Sequence, residues 1–218
     1  MMSGPIPPGQ TPSAPAASME RWRAIARRIR VPLGFATAAL YLVELWRQAA
    51  PLPAILGSLA LVIPGLALRG YAAGYVKKNR ELTQTGPYAY TRNPLYLGSM
   101  LLAAGFAVAL QSWIFALVLA AGFAIIYIPV ISGEEQFLRA AFPGFDDYCR
   151  RVPRLLPRLT PARPPDQPAA PRAQDSGRFS FALYLRHREY NALLGAALLY
   201  LSLLFLRPAM AAILHRAR

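Results

Sequence analysis

The sequence contains few cysteines, histidines and acidic residues. Cys149 is its one cysteine, which excludes an internal disulfide and a cysteine-based metal site. The two histidines, His187 and His215, are not at metal-ligand spacing, so we predict no metal site. Ten Asp and Glu residues stand against 24 Lys and Arg residues, which gives a net charge of +14. No nucleic-acid motif accompanies this basic excess, and we therefore expect no nucleic-acid partner.

Charged residues are absent from one long stretch of the chain. Residues 93–133 contain no Asp, Glu, Lys or Arg. These 41 residues match two helices of about 20 residues, which is the length needed to cross a bilayer. The sequence therefore predicts an all-α, polytopic integral membrane protein. A buried helix of a soluble protein could be equally apolar, but other apolar runs in the same chain make this alternative weaker.

Five apolar runs predict about five transmembrane helices. They lie at 31–47, 52–69, 94–110, 113–132 and 190–206. Basic residues precede the first run, follow the second run and follow the fourth run, which predicts that the N-terminus, the 77–93 loop and the 134–189 segment are cytoplasmic. High contents of Ala, Pro and Arg are typical of a GC-rich bacterial genome. We therefore expect a multi-pass protein of the bacterial inner (plasma) membrane, surrounded by membrane lipids.

Composition divides the chain into four segments. Residues 1–30 are predicted to form a disordered N-terminus, ending at residue 17, followed by a basic interfacial helix. Residues 31–157 are the predicted membrane core. Residues 158–179 are a Pro-rich linker. Residues 180–218 are predicted to form a C-terminal helix that spans the membrane, which would leave a basic tail outside, against the usual charge rule.

Two polar clusters flank the apolar hairpin formed by the third and fourth runs. Arg92 and Asn93 precede it, and Glu134 and Glu135 follow it. Because the two ends of a hairpin are neighbours, we predict that these residues lie close together. Adjacent carboxylates repel each other, so the pair needs a cation, which could be Arg92, a metal or a positively charged ligand. The alternative interpretation is that these residues only anchor the helices at the membrane surface.

The ordered set of motifs resembles the isoprenylcysteine carboxyl methyltransferase family and the related phospholipid N-methyltransferases. The resemblance covers about residues 86–157, with "GPYAYTRNPLYLG", a charge-free hairpin and "EEQFLRAAFPGFDDYCRRVPRLLP". The matching positions are Arg92, Pro94, Tyr96, Gly98, Glu134, Glu135, Tyr148, Arg151, Val152, Pro153 and Pro157. Asn93 departs from the pattern, because the carboxyl methyltransferases usually have His there and the phospholipid enzymes tend to have Asn.

The resemblance implies methyl transfer from S-adenosyl-L-methionine, with a cytoplasmic cofactor site at the end of the hairpin. It implies that Arg92, Glu134 and Arg151 are catalytic. It also implies the following cofactor-binding residues: Tyr90, Asn93, Tyr96, Leu97, Glu134, Glu135 and Tyr148. The expected substrate is a lipophilic small molecule or a lipid-linked group, and no obligatory protein partner is evident.

The nature of the methyl acceptor divides the sequence-based hypotheses. Arg92 and Arg151 favour a carboxylate of the isoprenylcysteine type, since two guanidinium groups repel an ammonium. Asn93 favours a phospholipid amine such as ethanolamine. A sterol-type membrane reductase and a non-catalytic membrane protein are further alternatives. A transporter would need charged or broken helices at mid-membrane, and the hairpin has no charge there.

Overall fold

A computed structural model describes residues 14–47, 50–77, 81–162 and 178–216. In these ranges the chain forms seven α-helices, one short 3-10 helix and no β-strand, which confirms the predicted all-α class. The helices are α1 (Ala14–Arg47), α2 (Leu52–Ala73), α3 (Pro94–Leu110), α4 (Trp113–Ala141), α5 (Phe145–Arg151), α6 (Phe181–Arg186) and α7 (Tyr190–Arg216). The 3-10 helix covers Gly86–Ala89, just before α3.

Every predicted apolar run lies in a helix. In the described residues, two helices are long and apolar enough to cross a membrane, namely α2 with 22 residues and α4 with 29. Only 22% and 17% of their most apolar windows are buried inside the protein, so neither resembles the enclosed core helix of a soluble protein. α3 and the 190–206 part of α7 are apolar but shorter. The count of five spans therefore stays a prediction.

The N-terminal helix differs from the prediction. We expected a surface helix over residues 18–30 and a separate span from residue 31, but α1 is one continuous helix of 34 residues. Residues 14–17, predicted to be disordered, form its beginning, while residues 1–13 lie outside the described part of the chain. The reason is local, because Ala and Arg are strong helix formers and dominate this segment. Most of the predicted linker, residues 163–177, also lies outside the described residues.

A tight turn joins α3 to α4. Gln111 ends α3 in the left-handed conformation with φ of 51°. Ser112 then caps α4, because its hydroxyl accepts a hydrogen bond from the backbone N–H of Phe115 at 3.1 Å. The turn makes α3 and α4 an antiparallel hairpin, as the sequence predicts, and brings the start of α3 to the end of α4.

Glycines allow α2 and α3 to pack closely. A Cβ atom added at Gly98 would lie 2.6 Å from Cγ of Arg69 and 2.8 Å from the carbonyl oxygen of Gly65. One added at Gly105 would clash with Cγ2 of Val62. Small residues at such crossings let helix backbones approach each other in membrane proteins. This close contact fixes the position of α2 beside the start of α3.

Gly105→Ala should therefore destabilise the helix pair. Overpacking of this kind costs roughly 1–3 kcal/mol, so the thermal unfolding midpoint in detergent should fall. Gly57→Ala is the matched control, because Gly57 lies in α2 and a Cβ there would have nothing within 4 Å. We expect the control to keep or slightly raise the midpoint, since Ala is the better helix former. An unchanged midpoint in Gly105→Ala would contradict the close packing.

α4 extends beyond the predicted end of the apolar run. The helix continues from residue 132 to Ala141, so Glu134 and Glu135 lie within it rather than after it. Glu, Gln, Leu, Arg and Ala all favour helix here, and Pro143 follows shortly after the end. Helical geometry therefore fixes the direction of both carboxylates.

Two hydroxyl pairs attach α7 to the other helices. The Tyr41 hydroxyl of α1 is hydrogen-bonded to the Ser202 hydroxyl, and the Ser58 hydroxyl of α2 lies 2.6 Å from that of Tyr200. Such pairs stabilise contacts between helices in an apolar environment. α7 is therefore packed against α1 and α2.

Candidate active site

A cavity of about 510 Å³ lies at one end of the α3–α4 hairpin. We call this end the charged end and define it by Arg92, Asn93, Glu134 and Glu135. Its polar and charged lining residues are Arg69, Lys77, Glu81, Thr83, Tyr88, Arg92, Asn93, Tyr96, Ser99, Tyr127, Glu134, Glu135, Tyr148 and Glu189. The volume is in the range of about 300–1,000 Å³ that is usual for small-molecule sites. The predicted meeting of the two polar clusters is therefore found in the structure.

Arg92 connects the two clusters. Its Nη1 lies 2.9 Å from Oε1 of Glu135, and both side chains are mostly buried, with exposures of 15% and 16%. Nη1 also contacts the sulfur of Cys149. Nε of Arg92 is the one buried side-chain nitrogen or oxygen in the described ranges that has no hydrogen-bond partner. An unpaired buried donor costs about 1–3 kcal/mol, so a hydrogen-bond acceptor that reached this atom would lower the free energy of the site.

Glu135 holds a second arginine. Nη2 of Arg154 lies 3.0 Å from Oε2 of Glu135, and Nε of Arg154 donates to Oε1 at 3.2 Å. Arg154 therefore contacts both oxygens of this carboxylate and shares Oε1 with Arg92. The backbone around Arg154 is tied to the start of α3, because the backbone N–H of Arg92 donates to the carbonyl of Pro153 at 2.9 Å. The amide Nδ2 of Asn93 donates to the carbonyl of Arg154 at 2.8 Å. Glu135 and Asn93 therefore have a structural role in ordering this end of the hairpin.

Glu134 is placed differently from its neighbour. It is exposed on the cavity wall, and its Oε1 accepts a hydrogen bond from the Tyr96 hydroxyl at 2.9 Å. The Tyr96 ring packs edge-on against Tyr127 of α4, with centroids 5.0 Å apart. This aromatic contact holds the hydroxyl towards the carboxylate. Glu134 thus presents negative charge to the cavity without a guanidinium partner among the described ion pairs.

Tyr148 closes the cavity from α5. Its hydroxyl donates to the carbonyl of Tyr88 at 2.8 Å. Burial raises the pKa of Tyr148 well above its usual value, although nearby Arg92 lowers it. Burial likewise raises the pKa of Tyr88 and, more modestly, that of the Cys149 thiol. All three groups are therefore neutral near pH 7 and are unsuited to act as bases there.

Three predicted site residues lie away from the cavity wall. Arg151 donates from Nη2 to the side-chain oxygen of Gln84 at 2.9 Å and does not line the cavity. Tyr90 is partly exposed, and its backbone carbonyl accepts from the N–H of Arg158. Leu97 belongs to the first turn of α3 and also lies outside the lining. Their assigned roles remain predictions that the geometry of the cavity does not support.

A further ion pair on the cavity wall was not predicted from the sequence. Arg69 of α2 meets Glu189, which directly precedes α7, with Nη2 2.8 Å from Oε2. Arg69 is the one charged residue in Leu52–Ala73. An ionisable residue in an otherwise apolar helix is a signal of function and could have identified it. Nothing in the sequence pattern, however, connects it with a glutamate 120 positions away.

Both signs of charge line the cavity. In the part of the chain that the structure describes, the lining contains three basic residues, Arg69, Lys77 and Arg92, and four acidic residues, Glu81, Glu134, Glu135 and Glu189. The geometry thus defines a class of protein: a helical membrane-type protein with a polar cavity at one end of an apolar hairpin. Such a cavity suits a ligand that carries both positive and negative groups.

Comparison with known proteins finds a family model that matches part of the chain. Residues 57–144 match the model of a family described as phospholipid methyltransferase. This family belongs to the isoprenylcysteine carboxyl methyltransferase-like group, which confirms the resemblance found in the sequence. The match supports a membrane methyltransferase. It includes Arg92, Asn93, Glu134 and Glu135, and it ends before Tyr148.

Two curated relatives share part of the chain. One is the nickel-cobalt-cadmium resistance protein NccN of Alcaligenes xylosoxydans xylosoxydans, 41% identical over 81 residues that cover 37% of this chain and 38% of that protein. The other is the cobalt-zinc-cadmium resistance protein CzcN of Cupriavidus metallidurans, 38% identical over 109 residues that cover 49% and 50%. The matches thus span half or less of the length of these relatives. No solved structure matches the chain.

Proposed function

We propose that this protein is an integral-membrane methyltransferase that uses S-adenosyl-L-methionine and methylates a lipophilic substrate at the cytoplasmic interface. The observation that supports it most is the cavity beside Arg92 and Glu134, inside the segment that matches the phospholipid methyltransferase family. The proposal places this cavity on the cytoplasmic side of a bacterial inner membrane, where the cofactor is made available. The positive charges beside the runs at this end support that orientation.

The residues of the cavity fit this cofactor. S-adenosyl-L-methionine carries a sulfonium, an ammonium and a carboxylate. Glu134, exposed on the wall and held by Tyr96, offers a carboxylate for the positive groups. The Nε atom of Arg92, a buried donor without a partner, offers a hydrogen bond to a carboxylate. The rings of Tyr127 and Tyr148 provide apolar walls.

Methyl transfer needs alignment more than acid or base catalysis. When bound, the cofactor supplies a methyl group on a sulfonium, and transfer to a carboxylate oxygen forms a C–O bond while the S–C bond breaks, without a proton transfer. The role of the chain is then to orient the acceptor and to exclude water. Arg92 is fixed by Glu135, and the positive charge of its guanidinium can attract and orient an acceptor carboxylate. We therefore propose carboxyl O-methylation of an isoprenylcysteine-type acid as the first candidate.

Two observations favour a second candidate, N-methylation of a phospholipid amine. The matching family is described as phospholipid methyltransferase. In addition, Arg151 lies outside the cavity and Arg92 is neutralised by Glu135, so the predicted repulsion of an ammonium by two arginines is weaker than expected. An amine acceptor must lose a proton, which Glu134 could accept.

A labelled-methyl assay separates the two candidates. The purified protein is offered N-acetyl-S-farnesylcysteine and phosphatidylethanolamine side by side, with methyl-labelled S-adenosyl-L-methionine. Base-labile label on the farnesylcysteine is the expected result for a carboxyl methyl ester. Base-stable label in the phospholipid alone would favour the amine candidate. Without transfer to either substrate, and without binding of S-adenosylhomocysteine, the methyltransferase proposal would be wrong.

A further inference from the structure

We propose that Arg69 forms a subsite for the anionic group of the amphiphilic substrate, and that the Glu189 carboxylate occupies this subsite when substrate is absent. The inference rests on the proposed function, because it concerns the acceptor that would enter the same cavity. The proposed subsite is formed by α2 and the C-terminal segment. Glu189 and α7 lie outside the segment that matches the family.

The Arg69 guanidinium is arranged to bind a two-oxygen anion. Its Nε and Nη2 atoms both face the Glu189 carboxylate, at 3.1 and 2.8 Å from Oε2, and Nη2 is also 3.1 Å from Oε1. This two-pronged contact is the geometry in which Arg recognises carboxylates and phosphates. The remaining nitrogen, Nη1, donates to the hydroxyl of Ser99 and to the carbonyl of Leu95. Among the described residues, Glu189 is therefore the one partner of the edge formed by Nε and Nη2 of Arg69.

The contacts of Nη1 place this subsite close to Arg92. Leu95 and Ser99 belong to the first turns of α3, the helix that Arg92 directly precedes. Arg69 and Arg92 line the same cavity. A substrate anchored at Arg69 would thus have its polar head in the cavity and its chain directed along apolar helices. Arg92 and Glu134 are then left for the cofactor and the reacting group.

Glu189 lies on a short turn between two helices. Its neighbour Arg188 has φ of 55°, a left-handed conformation that is uncommon for a residue other than glycine. The turn is fixed from outside, since Nδ1 of His187 lies 3.0 Å from the carbonyl oxygen of Ala73. The backbone N–H of Ser180 also donates to the carbonyl of Gly74. These contacts hold Glu189 next to the end of α2.

The Arg69–Glu189 ion pair is not needed merely to hold α2 and α7 together. The Ser58–Tyr200 and Tyr41–Ser202 hydroxyl pairs already connect α7 to two other helices. The Arg69 and Glu189 side chains keep exposures of 22% and 12%, and both line the cavity. An ion pair that only joined two helices would not have to line a polar cavity. Exchange of the internal carboxylate for a carboxylate or phosphate of a substrate explains this placement.

Binding of short amphiphiles tests the inference. The probes are octanoate and octyl phosphate, with octanol as the uncharged comparison, measured by calorimetry on the full chain in a sugar-headed detergent. Glu189→Gln should tighten anion binding about tenfold, because the competing carboxylate is gone. Arg69→Gln should weaken it by about tenfold or more, and octanol binding should respond to neither change. Octanoate preference would indicate a carboxylate substrate, and octyl phosphate preference a phospholipid.

Asp146→Asn is the matched control. It removes a carboxylate that lies 2.8 Å from Nε of Arg139, in an exposed ion pair outside the cavity, and should leave probe binding unchanged. If Arg69→Gln and Glu189→Gln both leave the affinities for octanoate and octyl phosphate unchanged, the inference is overturned. A Glu189→Gln variant with weaker anion binding and a lower unfolding midpoint would overturn it too, since Glu189 would then be a structural clip.

Binding of S-adenosylhomocysteine in the same samples separates this inference from the proposed function. Wild-type protein that binds S-adenosylhomocysteine but shows no Arg69-dependent anion binding would defeat only the subsite. Arg69-dependent anion binding without any S-adenosylhomocysteine binding would defeat only the methyltransferase proposal.

Discussion

Replacing Glu134 with Gln is expected to weaken binding of S-adenosylhomocysteine about ten- to a hundredfold. The change removes a negative charge that faces the cavity, and a hydrogen bond to a charged group contributes roughly 1.5–3 kcal/mol. The unfolding midpoint should stay the same, because Glu134 is exposed and Gln keeps its size. Isothermal calorimetry on protein in detergent measures the affinity.

Asp147→Asn serves as the control for this experiment. Asp147 is an exposed carboxylate whose oxygen lies 3.5 Å from Nη1 of Arg150, away from the cavity. Its removal changes the net charge by the same amount and should leave the affinity unaltered. Equal affinities for wild type and Glu134→Gln would mean that Glu134 is only an anchor at the membrane surface.

Arg92→Lys should lower methyl transfer about ten- to a hundredfold and leave the fold intact. Arg92 reaches Glu135 and Cys149 through one nitrogen and keeps another as a spare donor. The ammonium of Lys is a single point of charge and cannot serve Glu135 and a ligand in the same fork geometry. The loss of one charged hydrogen bond accounts for the expected size of the effect. Single-turnover measurements with saturating cofactor would show it.

Arg139→Lys is the comparison for Arg92→Lys. Arg139 also pairs with a carboxylate through its guanidinium, at Asp146, but it is exposed and does not line the cavity. We expect no change in turnover, because exposed ion pairs contribute little. A similar loss in both variants would point to a general effect of arginine replacement and against a role of Arg92 in the site.

The parts of the site that depend on local connectivity could be predicted from the sequence. A hairpin with a two-residue turn has to bring its ends together, and Arg92 does meet Glu135. Pairing between distant helices has no such constraint. Arg69 and Glu189 come from segments whose mutual position depends on the packing of α2, α3 and α7, and no pattern in the sequence encodes it.

The fold also decides which arginine of the segment after α4 contacts Glu135. Arg151 was assigned to the site from its place in the motif, but α5 directs it towards Gln84. α5 ends at Arg151, so the helix fixes the direction of this side chain, whereas the chain that follows turns towards the hairpin. Arg154, three positions further along, is the residue that meets Glu135. The motif therefore does not reveal which arginine of this segment contacts Glu135.

The contacts of Pro153 and Arg154 with the hairpin determine where this protein could be joined to a relative in a chimera. The segment that matches the family ends at residue 144, yet the N–H of Arg92 and one oxygen of Glu135 are satisfied by residues beyond that point. A chimera made at the family boundary would join a foreign loop to these groups. The unit that can be transplanted as one piece therefore runs on to residue 162, where the N–H of Ala162 still donates to the carbonyl of Ala89.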